Sequence, residues 1–222
     1  MIETQENITV TTKDLNLILD GLYSESYELI SHYISLLVKK NNELNLISRT
    51  ITKESLLIDH LYDCISAFYL FKPYNKITDI GAGGGFPGIL LACIFPDKEI
   101  LLVEKSPKKC SFLNEIITEL KLSNARVENK LVETIMYKPD MRESNIILTC
   151  RAFKPIPVIL SLLKNTTNYP TKLVLFKGKL STIDEEITLA KKNRFKFIHQ
   201  IIKVAPKNAV KERNIVIVDI VK

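Results

Sequence analysis

The residues whose spacing carries the most chemistry are Asp79-Ile80-Gly81-Ala82-Gly83-Gly84-Gly85-Phe86-Pro87-Gly88. A short β-like run, Ile77 to Ile80, leads into them, and a run of helical character, Gly88 to Phe95, follows. A strand that ends in glycines and gives way to a helix is the usual ligand crevice of an α/β sheet. Glycines there admit positive φ and let a ligand approach the backbone. Two ligands compete for this loop. Gly83-x-Gly85-x-x-Gly88 matches the dinucleotide fingerprint. Read from Asp79, the pattern is acid-x-Gly-x-Gly-x-Gly. A carboxylate placed there repels a pyrophosphate but tolerates the ammonium and sulfonium of S-adenosylmethionine (AdoMet), which carries no phosphate. The loop therefore favours AdoMet over NAD.

Three further positions suit a nucleoside. Glu104 follows the second strand-like run, Glu99 to Val103, where a carboxylate can take both ribose hydroxyls. NAD enzymes share this feature, and a surface acid beside Lys105 is the other reading. In the turn Asn129 to Glu133, Leu131 and Val132 offer an apolar wall for adenine, or plain turn packing. Arg151 closes a fourth strand-like run, where its guanidinium can meet the AdoMet carboxylate or an anionic or acceptor group of the substrate. An ion pair on the rim is the alternative. Phe86 and Phe153 can stack on a ligand, and the glycine loop places Phe86 the better of the two.

The elements that must position these residues follow from periodicity. Leu15, Leu19 and Leu22 begin one helical stripe; Tyr27, Ile30, Ile34, Leu37 and Val38 form another; Leu56, Leu57, Leu61, Cys64, Ile65 and Phe68 form a third. Asn41 to Thr52 reads as a polar loop. From Lys76 onward, strands and helices alternate. Ser106 and Pro107 open a helix to about Leu120, Ala125 to Val127 is a third strand, Asn145 to Cys150 a fourth, and Pro155 to Leu163 a helix. Lys172 to Phe176 is a fifth strand, and Ser181 to Asp184 resembles a capping box that opens another helix. Phe195 to Val204 and Asn214 to Val221 are joined by a link too short for a helical crossover, so they pair antiparallel. The expectation is an α/β class I (Rossmann-like) methyltransferase fold. It has a mostly parallel seven-stranded sheet with an antiparallel last strand. Residues 1–74 form an N-terminal helical extension or cap, and 75–222 the AdoMet-binding core.

Composition sets the frame. The 222 residues carry a net charge of +6, and 46% are hydrophobic, enough for a core. From Arg151 onward there are 15 Lys+Arg against 5 Asp+Glu (+10); residues 1–150 hold 16 against 20 (−4). A basic half suits a polyanion, or lysine-rich solvated faces. Cys64, Cys93, Cys110 and Cys150 show no CxxC spacing and read as free thiols in a reducing compartment. With His32, His60 and His199 they form no metal-ligand pattern, so no metal is expected. The polar, acidic N-terminus is not a signal peptide, and no apolar run is long enough to span a membrane. The expectation is a soluble cytoplasmic protein without a membrane partner.

In its ordered motifs the chain resembles the bacterial small-subunit ribosomal RNA guanine-N7 methyltransferases, the glucose-inhibited division protein B family. The resemblance covers roughly residues 40 to 220. It rests on the glycine loop with its Phe86-Pro87-Gly88 ending; Asn45-Leu46-Ile47 with Arg49; His60 and Asp63; Arg151-Ala152-Phe153; Lys177-Gly178; and Glu212-Arg213-Asn214. It implies AdoMet contacts at Gly81, Phe86, Leu131, Val132 and Arg151, beside Gly83, Gly85 and Glu104 from the loop and ribose arguments. It also implies methyl transfer to N7 of one guanine in small-subunit RNA. Departures are Glu104 where Asp is frequent, Lys130 where Arg is usual, and Val132 where an acid is common, with Glu133 one place later.

Guanine N7 has an in-plane lone pair, so no general base is expected and the enzyme's task is positioning. Arg49, His60, Phe153 and Lys177 are the candidates for substrate contact; a core or capping role is the other reading of His60. Lys154, Lys177, Lys179 and Lys207 are candidates for collective, salt-dependent RNA contact. The target base must be unpaired or flipped. The expected partner is small-subunit RNA or its particle, and the expected state a monomer. Readings left open are a different methyltransferase substrate, an NAD-linked oxidoreductase, and a non-catalytic RNA-binding module.

Overall fold

In the computed structural model, residues 8–135, 145–164, 172–204 and 211–221 are described. Seven strands pair in the order β3-β2-β1-β4-β5-β7-β6. They are β1 (Lys76–Ile80), β2 (Glu99–Glu104), β3 (Ala125–Asn129), β4 (Ile146–Arg151), β5 (Lys172–Lys177), β6 (Phe197–Val204) and β7 (Arg213–Ile220). The first five are parallel, and β7 runs antiparallel to both β5 and β6. The reversed last strand and the alternating chain agree with the class I methyltransferase architecture expected from the sequence.

Side chains alternate across the sheet, as the pleat requires. Ile100, Leu102, Ile147, Val174, Phe176 and Ile215 join one buried cluster; Leu101, Val103, Leu148, Leu173, Leu175, Val216 and Val218 join the other. Both faces are apolar, so both must be covered. One face carries α5 (Gly88–Ile94), α6 (Pro107–Glu119) and the N-terminal helices; the other carries α8 (Ile156–Lys164) and α9 (Leu180–Lys192). Among the described residues a short helix, α7 (Val132–Ile135), follows β3, where the sequence suggested a turn.

The N-terminal layer comprises α1 (Thr12–Leu19), α2 (Tyr27–Leu44) and a broken helical run. That run comprises α3 (Lys53–Leu56), a π-helical turn (Leu57–Tyr62), α4 (Asp63–Ile65) and a 3₁₀ turn (Phe68–Phe71). Its apolar stripe, including Leu56, Leu61, Cys64, Ile65 and Phe68, is buried against the same core as the sheet. The polar link begins later than expected, because α2 continues to Leu44. Asn41 lies inside the helix, and its Oδ1 accepts the N–H groups of Leu46 and Ile47, each at 2.8 Å. The expected capping box at Ser181 is absent: α9 begins at Leu180, with Lys179 as an N-cap that makes no side-chain bond. Glu212, just before β7, supplies the acceptor, its Oε1 taking the Leu180 N–H at 3.0 Å. The closing strand likewise starts one residue early, at Arg213. Residues 205–210 of the link before it, Lys207 among them, lie outside the described residues.

The layer also supports the glycine loop. Tyr33 is fully buried, and its hydroxyl donates to the Gly84 carbonyl at 2.7 Å. Replacing Tyr33 by Phe keeps the ring but strands that buried carbonyl, so the Tyr33→Phe variant should lose about 1–3 kcal/mol of stability. Urea denaturation measures it; an unchanged midpoint would show that the loop does not lean on this bond.

Candidate functional site

A cleft of about 680 Å³ opens where the C-terminal ends of β1, β2 and β4 meet. The strand order turns at β1 and β4, so this is the switch point at which α/β sheets bind ligands. Its wall includes Gly81, Gly83, Phe86, Glu104, Leu131, Val132, Arg151, His60 and Phe153, all of which the sequence singled out. Gly85, Arg49 and Lys177 are not part of that wall.

The glycine loop divides its labour. Gly81 has φ +73° and lies under the Phe153 ring; a Cβ there would stand 2.4 Å from Phe153 Cδ2. Gly85, at φ +103°, packs away from the cleft, and a Cβ there would stand 2.6 Å from Ile89 and 3.0 Å from the Tyr33 hydroxyl. Asp79 also lies behind the loop. It is fully buried, and its Oδ2 accepts the Gly88 N–H at 2.9 Å, while Oδ1 has no hydrogen-bond partner among the described residues. Burial pushes its pKa up to about 7, against the pull of the Gly88 N–H. Glu104 and Glu133 line the cleft, and Asp79 does not. Glu104 Oε2 accepts the Gly83 N–H at 3.0 Å and Oε1 the Ser106 N–H at 2.8 Å. These bonds fix the carboxylate and leave lone pairs for a ligand.

Arg151 is held by the N-terminal layer. Its Nε donates to Asp63 Oδ2 at 3.2 Å, Nη1 to His60 Nδ1 at 3.0 Å, and Nη2 to the Asp59 carbonyl at 2.7 Å. The guanidinium also lies 5.7 Å from the centre of the Phe86 ring, and His60 packs on the same ring at 5.3 Å. The π-helical turn brings Asp59, His60 and, just beyond it, Asp63 to this one side chain. Asp63 Oδ2 also lies 3.7 Å from Arg213 Nε, and Asp59 pairs with Lys211 at 3.2 Å. Burial pushes Asp63 above the usual carboxylate value, while Arg151 and Arg213 pull the other way. Burial also acts on His60, and with the charge of Arg151 it depresses the imidazole to about 3. An arginine can only donate, so neutral His60 accepts at Nδ1 and carries its proton on Nε2.

The remaining expected residues, Lys177 and Arg49, bond to other parts of the chain. Lys177 Nζ donates to the Lys154 carbonyl at 2.8 Å and to Glu186 Oε2 at 2.9 Å, which also accepts the Ile156 N–H. It thereby braces the Arg151-Ala152-Phe153 turn, where Ala152 sits at φ +50°. Asn214 Nδ2 donates to the Gly178 carbonyl at 2.7 Å, so Glu212-Arg213-Asn214 ties the ends of β5, α9 and β7 together. Arg49 donates to Asn45 Oδ1 in the α2–α3 loop. The cleft also has lysines that the charge count did not single out: Lys105, Lys109 and Lys130 come from the acidic half of the chain. Only their positions just after β2 and β3 hinted at them. Among the described residues no His, Cys, Asp or Glu cluster could hold a metal, and no helix is long and apolar enough to cross a membrane.

Two outcomes follow from the network. Asp63→Ala removes the acceptor of one arginine and the counter-ion of another. Both keep some contact with water, so the loss should be about 3 kcal/mol, at the low end for a broken buried pair. Lys211→Ala, whose ammonium is exposed, should cost under about 1 kcal/mol. Equal midpoints in urea would contradict this ranking. His60 sets a pH dependence. Below its ordinary value of 6.5 the unfolded chain binds a proton that the folded chain refuses down to about 3, so stability falls with pH across that window. A His60→Gln variant should lose about 1–2 kcal/mol less than the parent between pH 7.5 and 5; parallel curves would count against the buried neutral imidazole.

Comparison with known proteins agrees with this architecture. The model of the family described as rRNA small subunit methyltransferase G matches residues 26–216. The ribosomal RNA small subunit methyltransferase G of Brachyspira hyodysenteriae is 36% identical over 191 residues, 86% of this chain and 89% of that protein. The protein of the same name from Bacillus subtilis is 34% identical over 170 residues, covering 76% and 69%. Among solved structures, the METTL16 MTase domain superposes with a TM-score of 0.60 at 11% identity, covering 86% of this chain and 81% of that one. MtNAS in complex with MTA and tNA gives 0.59 at 17% identity, covering 98% and 86%. The two structural likenesses show the fold. The match in sequence goes further, and the chain belongs to the rRNA small subunit methyltransferase G family.

Proposed function

We propose that this chain transfers a methyl group from AdoMet to N7 of one guanine in small-subunit ribosomal RNA. Family membership supports the class of reaction, and one observation carries the site: a backbone-fixed Glu104 and a three-way anchored Arg151 share the cleft at the switch point.

The lining fits AdoMet, which when bound supplies a methyl group on a cationic sulfur. Glu104 has lone pairs left for two ribose hydroxyls. Gly81 and Gly83 bring bare backbone to the wall, and exposed Leu131 beside buried Val132 offers apolar surface to the adenine. Arg151 has N–H groups beyond those held by Asp63, His60 and Asp59, and they suit the amino-acid carboxylate. Phe86 and Phe153 flank this space.

Guanine N7 needs no deprotonation, so these residues act by holding two reactants in line rather than by moving a proton. Lys105, Lys109, Lys130 and Lys154 around the cleft suit RNA phosphates. The reaction belongs in the cytoplasm, on small-subunit RNA or its particle, with the chain acting as a monomer.

Small-subunit particles from cells lacking this gene, incubated with labelled AdoMet, test the reading. Borohydride and aniline cleavage should map the label to N7 of a single guanine, and Gly83→Asp should abolish it. Methylation at another atom or in another RNA would overturn the proposed substrate.

A further inference from the structure

We infer that His60 reads the target base, donating its Nε2–H to guanine O6 while N7 is methylated. This rests on the guanine-N7 reading above. The Hoogsteen edge of guanine presents two acceptors, N7 and O6. N7 must keep its lone pair for the methyl group, so O6 is the only acceptor on that edge by which a protein can grip the base. Adenine carries an amino donor in the same place, so a protein group that can only donate there rejects adenine.

His60 meets these requirements. It lines the cleft. Its Nδ1 is occupied by Arg151 Nη1 at 3.0 Å, which forces the single proton onto Nε2 and leaves the ring a donor at its other edge. The ring cannot swing freely, since it packs on Phe86 at 5.3 Å while Arg151 is itself anchored to Asp63 Oδ2 and the Asp59 carbonyl. Electrostatics favours it over the other donors. The base becomes cationic as N7 takes the methyl group, so a cationic donor beside it opposes the reaction. Arg151, Lys105, Lys109, Lys130 and Lys154 are cations; His60 is held neutral by burial and by Arg151.

Two substitutions separate base reading from support of Arg151. His60→Asn keeps an acceptor near the Nδ1 position for Arg151 but loses the Nε2 donor. His60→Gln keeps an amide N–H near Nε2 but loses the acceptor. With small-subunit particles lacking the modification, His60→Asn should lower kcat/KM by roughly 10- to 100-fold, with the Kd for AdoMet unchanged. His60→Gln should retain more activity than His60→Asn. Particles carrying adenine at the target position should be discriminated less sharply by His60→Asn than by the parent. If His60→Asn keeps the parental rate, or His60→Gln is the weaker enzyme, His60 serves Arg151 alone and the inference is wrong. If the parent protein itself makes no N7-methylguanine, the guanine-N7 reading fails first and takes this inference with it.

Discussion

The guanidinium of Arg151 is the interaction on which the rest of the site depends. It projects from the end of a central strand into a cleft that a ligand must enter, and a long cationic side chain there has many rotamers to lose. Three groups from one short helical stretch remove that freedom: the Asp63 carboxylate, the His60 ring and the Asp59 carbonyl. Spacings of one and three keep the three residues on one face of the helical run. The π-helical turn over Leu57–Tyr62 widens the helix where they must converge. The sheet and the N-terminal layer are therefore joined by charge at the site as well as by apolar packing beneath it.

The same logic explains the acids of the glycine loop. Asp79 and Glu104 end adjacent strands and have opposite fates. Asp79 points to the face covered by α5, where burial and a single backbone donor leave its carboxylate hard to ionise. Glu104 reaches the cleft, where two backbone N–H groups fix it. The Tyr33 hydroxyl holds the loop from beneath, so the segment that precedes the sheet in sequence is part of the floor of the cleft.

Much of this was readable in the residues, for physical reasons. Alternating strands and helices, and a closing pair too close for a crossover, prescribe the sheet, because few topologies satisfy both. The place of Gly81, Phe86 and Glu104 on the cleft wall was readable because the ends of β1 and β2 and the glycine loop are set by local pattern. The partners of Arg151 lie about 90 residues away along the chain, and no periodicity encodes that contact. The bonds of Lys177 to Glu186 and to the Lys154 carbonyl are likewise not written in its sequence neighbours. The Ser181 capping signal yielded to Glu212, which reaches the helix end from the residue before β7. Charge counting pointed to the second half of the chain, yet Lys105 and Lys109, which follow the second strand, line the cleft.

A crystal structure with S-adenosylhomocysteine tests the central claim most directly, that the cleft between Glu104 and Arg151 is built in advance for the methyl donor. The account predicts both ribose hydroxyls on Glu104, with its bonds to Gly83 and Ser106 kept, and Arg151 still anchored to Asp63 and His60. A ligand bound elsewhere, or an Arg151 that leaves Asp63 and His60 to meet it, would contradict the claim.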